Sequence, residues 1–157
     1  MQRAPKGALC YGITAERWER EMKKEIADQW VAALRSGEFT QGEQVLTQVH
    51  DDGTKTYCCL GVLSELACRA EVIPAPIGER TMIERDGVQE EVTALIYGTV
   101  ASQSKTIAPG VVVEWAGLSH GNPIADDFNG RTLAGLNDNG YTFAEIADVI
   151  ERDWRTL

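Results

Sequence analysis

The segment VLTQVHDDGTKTYCCLGVLSELACRA, residues 45–70, decides the fold because its apolar pattern changes period halfway along. Val45 to His50 and Thr54 to Tyr57 are β-prone runs on either side of Asp51-Asp52-Gly53, where glycine supplies the positive φ that a tight hairpin needs. Beyond Tyr57 the period becomes helical: Cys59, Val62, Leu63, Leu66, Ala67 and Ala70 fall at i, i+3, i+4, i+7, i+8 and i+11, a single stripe facing a core. Gly61 costs that helix about 1 kcal/mol relative to alanine, which the close approach of another backbone would justify. A hairpin that runs straight into an amphipathic helix predicts an α+β domain, with the Cys58-Cys59 pair at the junction.

Upstream, Trp18, Met22, Ile26, Trp30, Ala33 and Leu34 recur at helical spacing. They predict a first helix from Ala15 to Ser36, with Thr14 as N-cap and Gly37 as the left-handed stop. Residues 1 to 13 lack periodicity and read as a frayed terminus. The expected division is therefore an N-terminal extension with the start of the first helix over 1–21, and one globular domain over 22–157.

Downstream, Pro74 and Pro76 end the helical region, and Thr81 to Arg85 with Val88 to Tyr97 predict a second hairpin around Asp86-Gly87. Val92, Ala94 and Ile96 alternate with Glu91, Thr93 and Leu95, as one half-buried face of an antiparallel sheet requires. Pro109 suits the first turn of a short helix ending at Gly117, with Val112, Trp115 and Ala116 on its apolar side. A helical turn at Leu133 to Leu136 closes on Asn137-Asp138-Asn139-Gly140. In the last helix Thr142 and Glu145 form a capping box, Tyr141 staples onto Ile146, and Phe143, Ile146, Ala147, Ile150 and Trp154 make the buried stripe. The expected architecture is four helices packed with a small antiparallel sheet made of two β-hairpins.

At 157 residues, with 43% hydrophobic and 25% charged residues, the chain has the length and composition of one ordinary globular domain. The net charge of −9, from 24 acidic and 15 basic residues with no basic stripe, excludes a phosphate-tracking surface and disfavours anionic lipid. Nucleic acid and membrane are thus not expected partners, and a nucleotide ligand would need a local pocket of backbone donors, amides and aromatics. No apolar run reaches signal-peptide or membrane-spanning length, and the four cysteines, at 10, 58, 59 and 68, show no paired spacing. Free thiols and a cytoplasmic location are the expectation.

A thiol at a helix N-terminus faces unpaired amides, which favour thiolate and admit a cysteine hydrolase with Cys58 or Cys59 as nucleophile. Against it, Cys59 lies on the apolar stripe, and sequence places neither His50 nor His120 as a base. No catalytic residue is therefore assigned. Metal-ligand spacing is absent, and Asp126-Asp127 reads as a solvated pair, so neither metal nor cofactor is expected. Asn137-Asp138-Asn139-Gly140 has ordinary turn composition, yet it would present amides and a carboxylate beside Tyr141 and the N-terminus of the last helix. The four tryptophans belong by default to the core. A pocket between the first two helices and the C-terminal elements would draw on Trp30, Tyr57, Cys58, Trp115, Asn122, Asn137, Asp138 and Tyr141, which form the candidate ligand-binding set.

Several segments carry a resemblance: ADQWVAALRSG from Ala27, YCCLGVL from Tyr57, VEWAGL from Val113, Asn122-Pro123, and Leu136-Asn137-Asp138 through Glu145-Ile146-Ala147-Asp148. In this order, over roughly Met22 to Glu151, the chain resembles a family of small proteins encoded by bacteriophages and by prophage-bearing bacterial genomes. It departs from the family at Ser64, where the usual second-helix pattern has another cysteine, which weakens the case for an essential three-thiol cluster. The resemblance implies a phage accessory protein that antagonises host defence in the host cytoplasm. The leading expectation is a binding protein, without catalysis, that sequesters a nucleotide-derived immune signal such as an ADP-ribose derivative. The alternatives are a protein–protein inhibitor whose acidic face meets a basic host protein, and the cysteine hydrolase. Homo-oligomerisation is left open.

Overall fold

The computed structural model describes residues 21–125 and 130–157. Thr14, Ala15, Trp18, Cys10 and the Asp126-Asp127 pair, all invoked above, lie outside the described residues. In chain order the elements are α1 (Lys24–Arg35), β1 (Thr47–Val49), β2 (Lys55–Tyr57), α2 (Cys59–Arg69), β3 (Ile77–Arg85), β4 (Val88–Thr99), β5 (Ser102–Ser104), α3 (Gly110–Ala116), α4 (Leu133–Asp138) and α5 (Phe143–Asp153). A 3₁₀ turn, Trp154–Thr156, follows α5. The strands run antiparallel in the order β2-β1-β4-β3, and β5 folds back on the end of β4.

The segment 45–70 behaves as its period change requires. β1 pairs with β2 from Thr47↔Tyr57 to Val49↔Lys55, and Cys58 then caps α2 in extended conformation. Gly61 has the predicted reason for being glycine: a Cβ there would stand 1.8 Å from the Leu46 carbonyl oxygen. That same oxygen accepts the Cys58 amide at 3.0 Å, so hairpin and helix are held backbone to backbone. The second hairpin also forms, with Arg85 opposite Val88 and the two turn residues Asp86 and Gly87 at φ 54° and 79°.

Four expectations need correction. The first helix begins only at Lys24 among the described residues, because residues 21–23 are not helical: Lys23 is extended and donates its amide to Ala116 at 2.8 Å, tying the chain to the end of α3 before α1 begins. The helical turn at Leu133 grows through Asp138 into a fifth helix among the described residues, nucleated by Thr132, whose hydroxyl accepts the Gly135 amide at 3.0 Å. β3 starts at Ile77, β4 runs on to Thr99, and β5 pairs beyond the second hairpin. The burial phase on β4 also differs: Leu95 and Tyr97 join the main core, whereas Val92 and Ala94 pack with Val45 and Ile83 on the other face. Residue 45 folds over the sheet face that a simple two-layer domain leaves to solvent, so β4 is buried from both sides.

The main core is formed by α1, α2, α3, α4 and α5 with the end of β4. Trp30, Leu60, Leu63, Leu136, Ile146 and Ile150 lie fully buried within it. Arg35 on α1 bridges to Asp148 at 2.6 Å and Glu151 at 3.1 Å on α5, closing the outer seam of the helix pair.

Candidate functional site

Asn137, at the end of α4, is 1% exposed and fully used by the protein. Its Oδ1 accepts from Gln41 Nε2 at 3.0 Å and from the Cys59 amide at 3.2 Å. Its Nδ2 donates to the Gly42 carbonyl at 2.7 Å and to Asp138 Oδ1 at 3.3 Å. One side chain thereby joins the start of α2, the loop before β1 and the α4–α5 turn. Gln41 extends the joint, since its Nε2 also donates to the Tyr141 carbonyl at 2.8 Å and its Oε1 accepts the Phe143 amide at 3.1 Å.

Outside this joint opens a cleft of about 420 Å³. Its walls are the 41–43 loop, His50 and Thr56 from the first hairpin, Arg85 from the end of β3, and Asn137, Gly140 and Tyr141 from the α4–α5 turn. The sheet register explains the grouping, for Gln48 lies opposite Thr56 and therefore shares its face. Strand alternation sends the neighbouring Tyr57 to the other side. Gly42 presses so closely on Thr56 that a Cβ would meet its Oγ1 at 2.7 Å, which leaves the loop no room to shift inward.

The cleft chemistry is polar and balanced in charge. Arg85 forms an ion pair with Glu90 at 3.1 Å and reaches Gln48 Oε1 at 3.4 Å. His50 lies between Gln48 Nε2, 3.4 Å from Nδ1, and Thr56 Oγ1, 3.0 Å from Nε2. Two further hollows adjoin: one of about 260 Å³ shares Gly140 and Tyr141 with the cleft and adds Glu145, and one of about 170 Å³ shares His50 and adds Arg80 and Thr93.

Of the candidate residues, Asn137 and Tyr141 line this cleft and Asp138 buttresses it, accepting the Gln44 amide at 3.1 Å. The other five stand elsewhere. Trp30 is fully buried and donates its indole N–H to the Cys59 carbonyl at 2.9 Å. Tyr57 sets its ring edge-on to Phe39, with centroids 4.9 Å apart. Trp115 packs half-buried against the core, and Asn122 accepts the Ala134 amide at 3.0 Å. The space expected between the first two helices and the C-terminal elements is thus filled by interlocking side chains, and the opening lies one layer further out.

Cys58 is 3% exposed and Cys59 fully buried. Burial pushes the Cys58 thiol up to about 12, outweighing the Gly61 and Leu60 amides that draw it down. Cys59 is held well above its ordinary range, again by burial. The last helix offers little to an anion: Thr142 and Phe143 give their amides to Glu145 and Gln41, and Glu145 gives its own to Thr142. Among the described residues no group of three or more histidine, cysteine and carboxylate side chains stands ready for a metal ion, and no helix is long and apolar enough to cross a membrane.

Gln41, Gly42, Glu43, His50, Thr56 and Arg85 are the cleft residues that sequence reasoning passed over. They come from three separate segments, each with the composition of an ordinary turn or strand end. Fold and cleft together define a small α+β domain with a polar recess made by loops and strand ends. The chain belongs to the family described as a domain of unknown function, DUF8296, which matches residues 22–154. No curated protein and no solved structure matches the chain.

Proposed function

We propose that the protein is a non-catalytic binding protein that holds a small nucleotide-type ligand in the cleft. The observation that carries this reading is the convergence of a guanidinium, an imidazole, a hydroxyl and a tyrosine from separate chain segments around about 420 Å³. These groups suit a phosphate, a sugar and a base, while the thiols that would do chemistry are sealed in the core. With the resemblance to phage accessory proteins, the fuller reading is sequestration of a nucleotide-derived immune signal, such as an ADP-ribose derivative, in the host cytoplasm. Titration calorimetry and thermal shift with AMP, ADP-ribose and cyclic nucleotides test it: saturable heat and a raised Tm are expected, and their absence across the panel removes the reading.

A second reading, an inhibitor of a basic host protein, draws on the second hairpin. There Ile77, Met82 and Val88 are exposed among Glu79, Glu84, Glu90 and Glu91. Steered association of that kind slows steeply as ionic strength rises, and a flat salt response counts against it. The cysteine hydrolase loses its basis in the burial of Cys58 and Cys59.

A further inference from the structure

The sheet ends differently on its two sides. Residues 40–42 cover the outer edge of β2: the Tyr57 amide donates to the Thr40 carbonyl at 2.8 Å, and the Tyr57 carbonyl accepts the Gly42 amide at 2.7 Å. β3, the opposite edge, runs for nine residues, all exposed but Thr81 and Ile83, and pairs only with β4 among the described residues. Gln44 shows which way its free groups point. It donates Nε2 to the Glu84 carbonyl and accepts the Glu84 amide on Oε1 at 3.0 Å, so the peptide groups of Glu84 face away from β4. By strand alternation Gly78, Arg80 and Met82 present theirs along the same outer edge, with no partner among the described residues. The Gln44 carboxamide thus stands where a residue of one more antiparallel strand would stand, and makes the two bonds that residue would make.

Charges on an edge strand ordinarily repel a further strand, but those of β3 are arranged to attract one particular strand. In Glu79-Arg80-Thr81-Met82-Ile83-Glu84-Arg85, charged residues equally distant from Met82 carry opposite signs. We propose that β3 pairs antiparallel with β3 of a second copy of the chain, about a two-fold axis through Met82, so that the sheet continues from one protomer into the other. In that register Met82 meets Met82, Arg80 lies opposite Glu84 of the second copy, and Glu79 lies opposite Arg85 of the second copy. The symmetry doubles both charge pairs, and no like charges stand opposite each other. Pairing about Thr81 would set Arg80 against Met82 and Glu79 against Ile83, and pairing about Arg80 would set that arginine against itself. The hydrogen-bonded positions of the Met82 register are the even-numbered residues, whose peptide groups are the ones that face outward. Arg80 of the second copy takes over the two bonds that Gln44 makes to Glu84, one amide replacing another. Existing ion pairs extend across the axis: Arg80 keeps Glu91 at 3.2 Å and gains a glutamate, while Lys105, Glu79 and the second copy's Arg85 and Glu90 form a row of alternating sign. The interface lies on the strand edge and does not depend on what occupies the cleft.

Sedimentation equilibrium of the full chain over a concentration series tests this. The mass is expected to rise toward twice 17.2 kDa, and the dimer to weaken as salt screens the charge pairs. Arg80→Glu and Glu84→Arg, each shown to be folded by its melting curve, set like charges opposite and should each weaken self-association by about tenfold or more. Mixed together, the two variants should associate as tightly as the unaltered chain, because each supplies the charge that the other lacks. Gln44→Ala should tighten the dimer several-fold by removing the competitor for Glu84. Met82→Cys should form a covalent dimer under mild oxidation that the unaltered chain does not, since hydrogen-bonded strand partners hold their Cα atoms about 5.5 Å apart, within disulfide reach. A chain that stays monomeric at every concentration, with Gln44→Ala equally monomeric, overturns the proposal and leaves the edge to an extended peptide of another protein. A dimer that survives both charge changes, or that crosslinks through Thr81→Cys and not through Met82→Cys, overturns the pairing about Met82.

Discussion

Asn137 divides two regions that share a residue and differ in everything else. On its inner side it accepts the Cys59 amide, beside a Gly61 that lies against the Leu46 carbonyl, with a thiol pair sealed from water. On its outer side it fixes the Gln41-Gly42 loop as one wall of an open, polar cleft. The inner region carries the residues that look reactive, and the outer one carries residues that look like filler. Their difference teaches that reactivity in the one-dimensional chain is a property of residue types, whereas availability is a property of layers.

The largest effect that would sharpen this contrast is at the inner junction. Gly61→Ala forces a Cβ into a carbonyl oxygen that cannot retreat, and denaturant unfolding should show a loss of about 3 kcal/mol or more. A loss under about 1 kcal/mol would show that β1 and α2 are not locked together. Next comes the shared residue itself. Asn137→Ala leaves the buried Cys59 amide without its partner and frees the Gly42 carbonyl, at an expected cost of about 2 kcal/mol. It should also loosen the cleft wall, seen as weaker nucleotide binding in the surviving folded fraction.

A pH response marks the inner region. Burial raises the Cys58 thiol from an ordinary 9.0 to about 12, so below pH 9 the thiol is protonated in both the folded and the unfolded chain and no stability is lost. Above pH 9 the unfolded chain releases its proton first, and stability should fall progressively toward pH 12. Cys58→Ser should flatten that slope, measured as denaturation midpoint against pH. In the same range a disulfide exchange reagent should reach Cys68, half-buried and raised only to about 11, before it reaches either member of the pair. The smallest effect belongs to the outer region: Arg85→Gln should change stability by no more than about 0.5 kcal/mol, since exposed ion pairs contribute little, while weakening AMP binding about tenfold. A large stability loss would make Arg85 a structural residue.

Much of the fold was legible because it is written in local periods and turn chemistry. Asp86-Gly87 turns where it should, Thr142 and Glu145 cap α5 reciprocally, and the stripe from Cys59 faces the core. Gly61 even announced a close backbone neighbour, though not that Leu46 would be the one. The site was legible only in part. Asn137 and Tyr141 were found because a polar turn beside an aromatic is conspicuous, but their partners His50, Thr56 and Arg85 lie 56 to 91 positions from Tyr141 in sequence, and no local pattern links them. The aromatics Trp30 and Trp115 were drawn into the candidate pocket by residue type, and packing took them for the core.

The chain by itself determined which segments are helix and strand, where they turn, and which side of each is apolar, because those choices depend on φ preferences and on spacing within a dozen residues. Only the tertiary structure decided which polar residues face one another across open space. It did so through the fold-over of residues 41–45 onto the sheet, which buries Val45 with Ile83 and brings Gln41 to Asn137. That contact spans nearly a hundred residues of sequence, and its energy exists only once both partners are already in place.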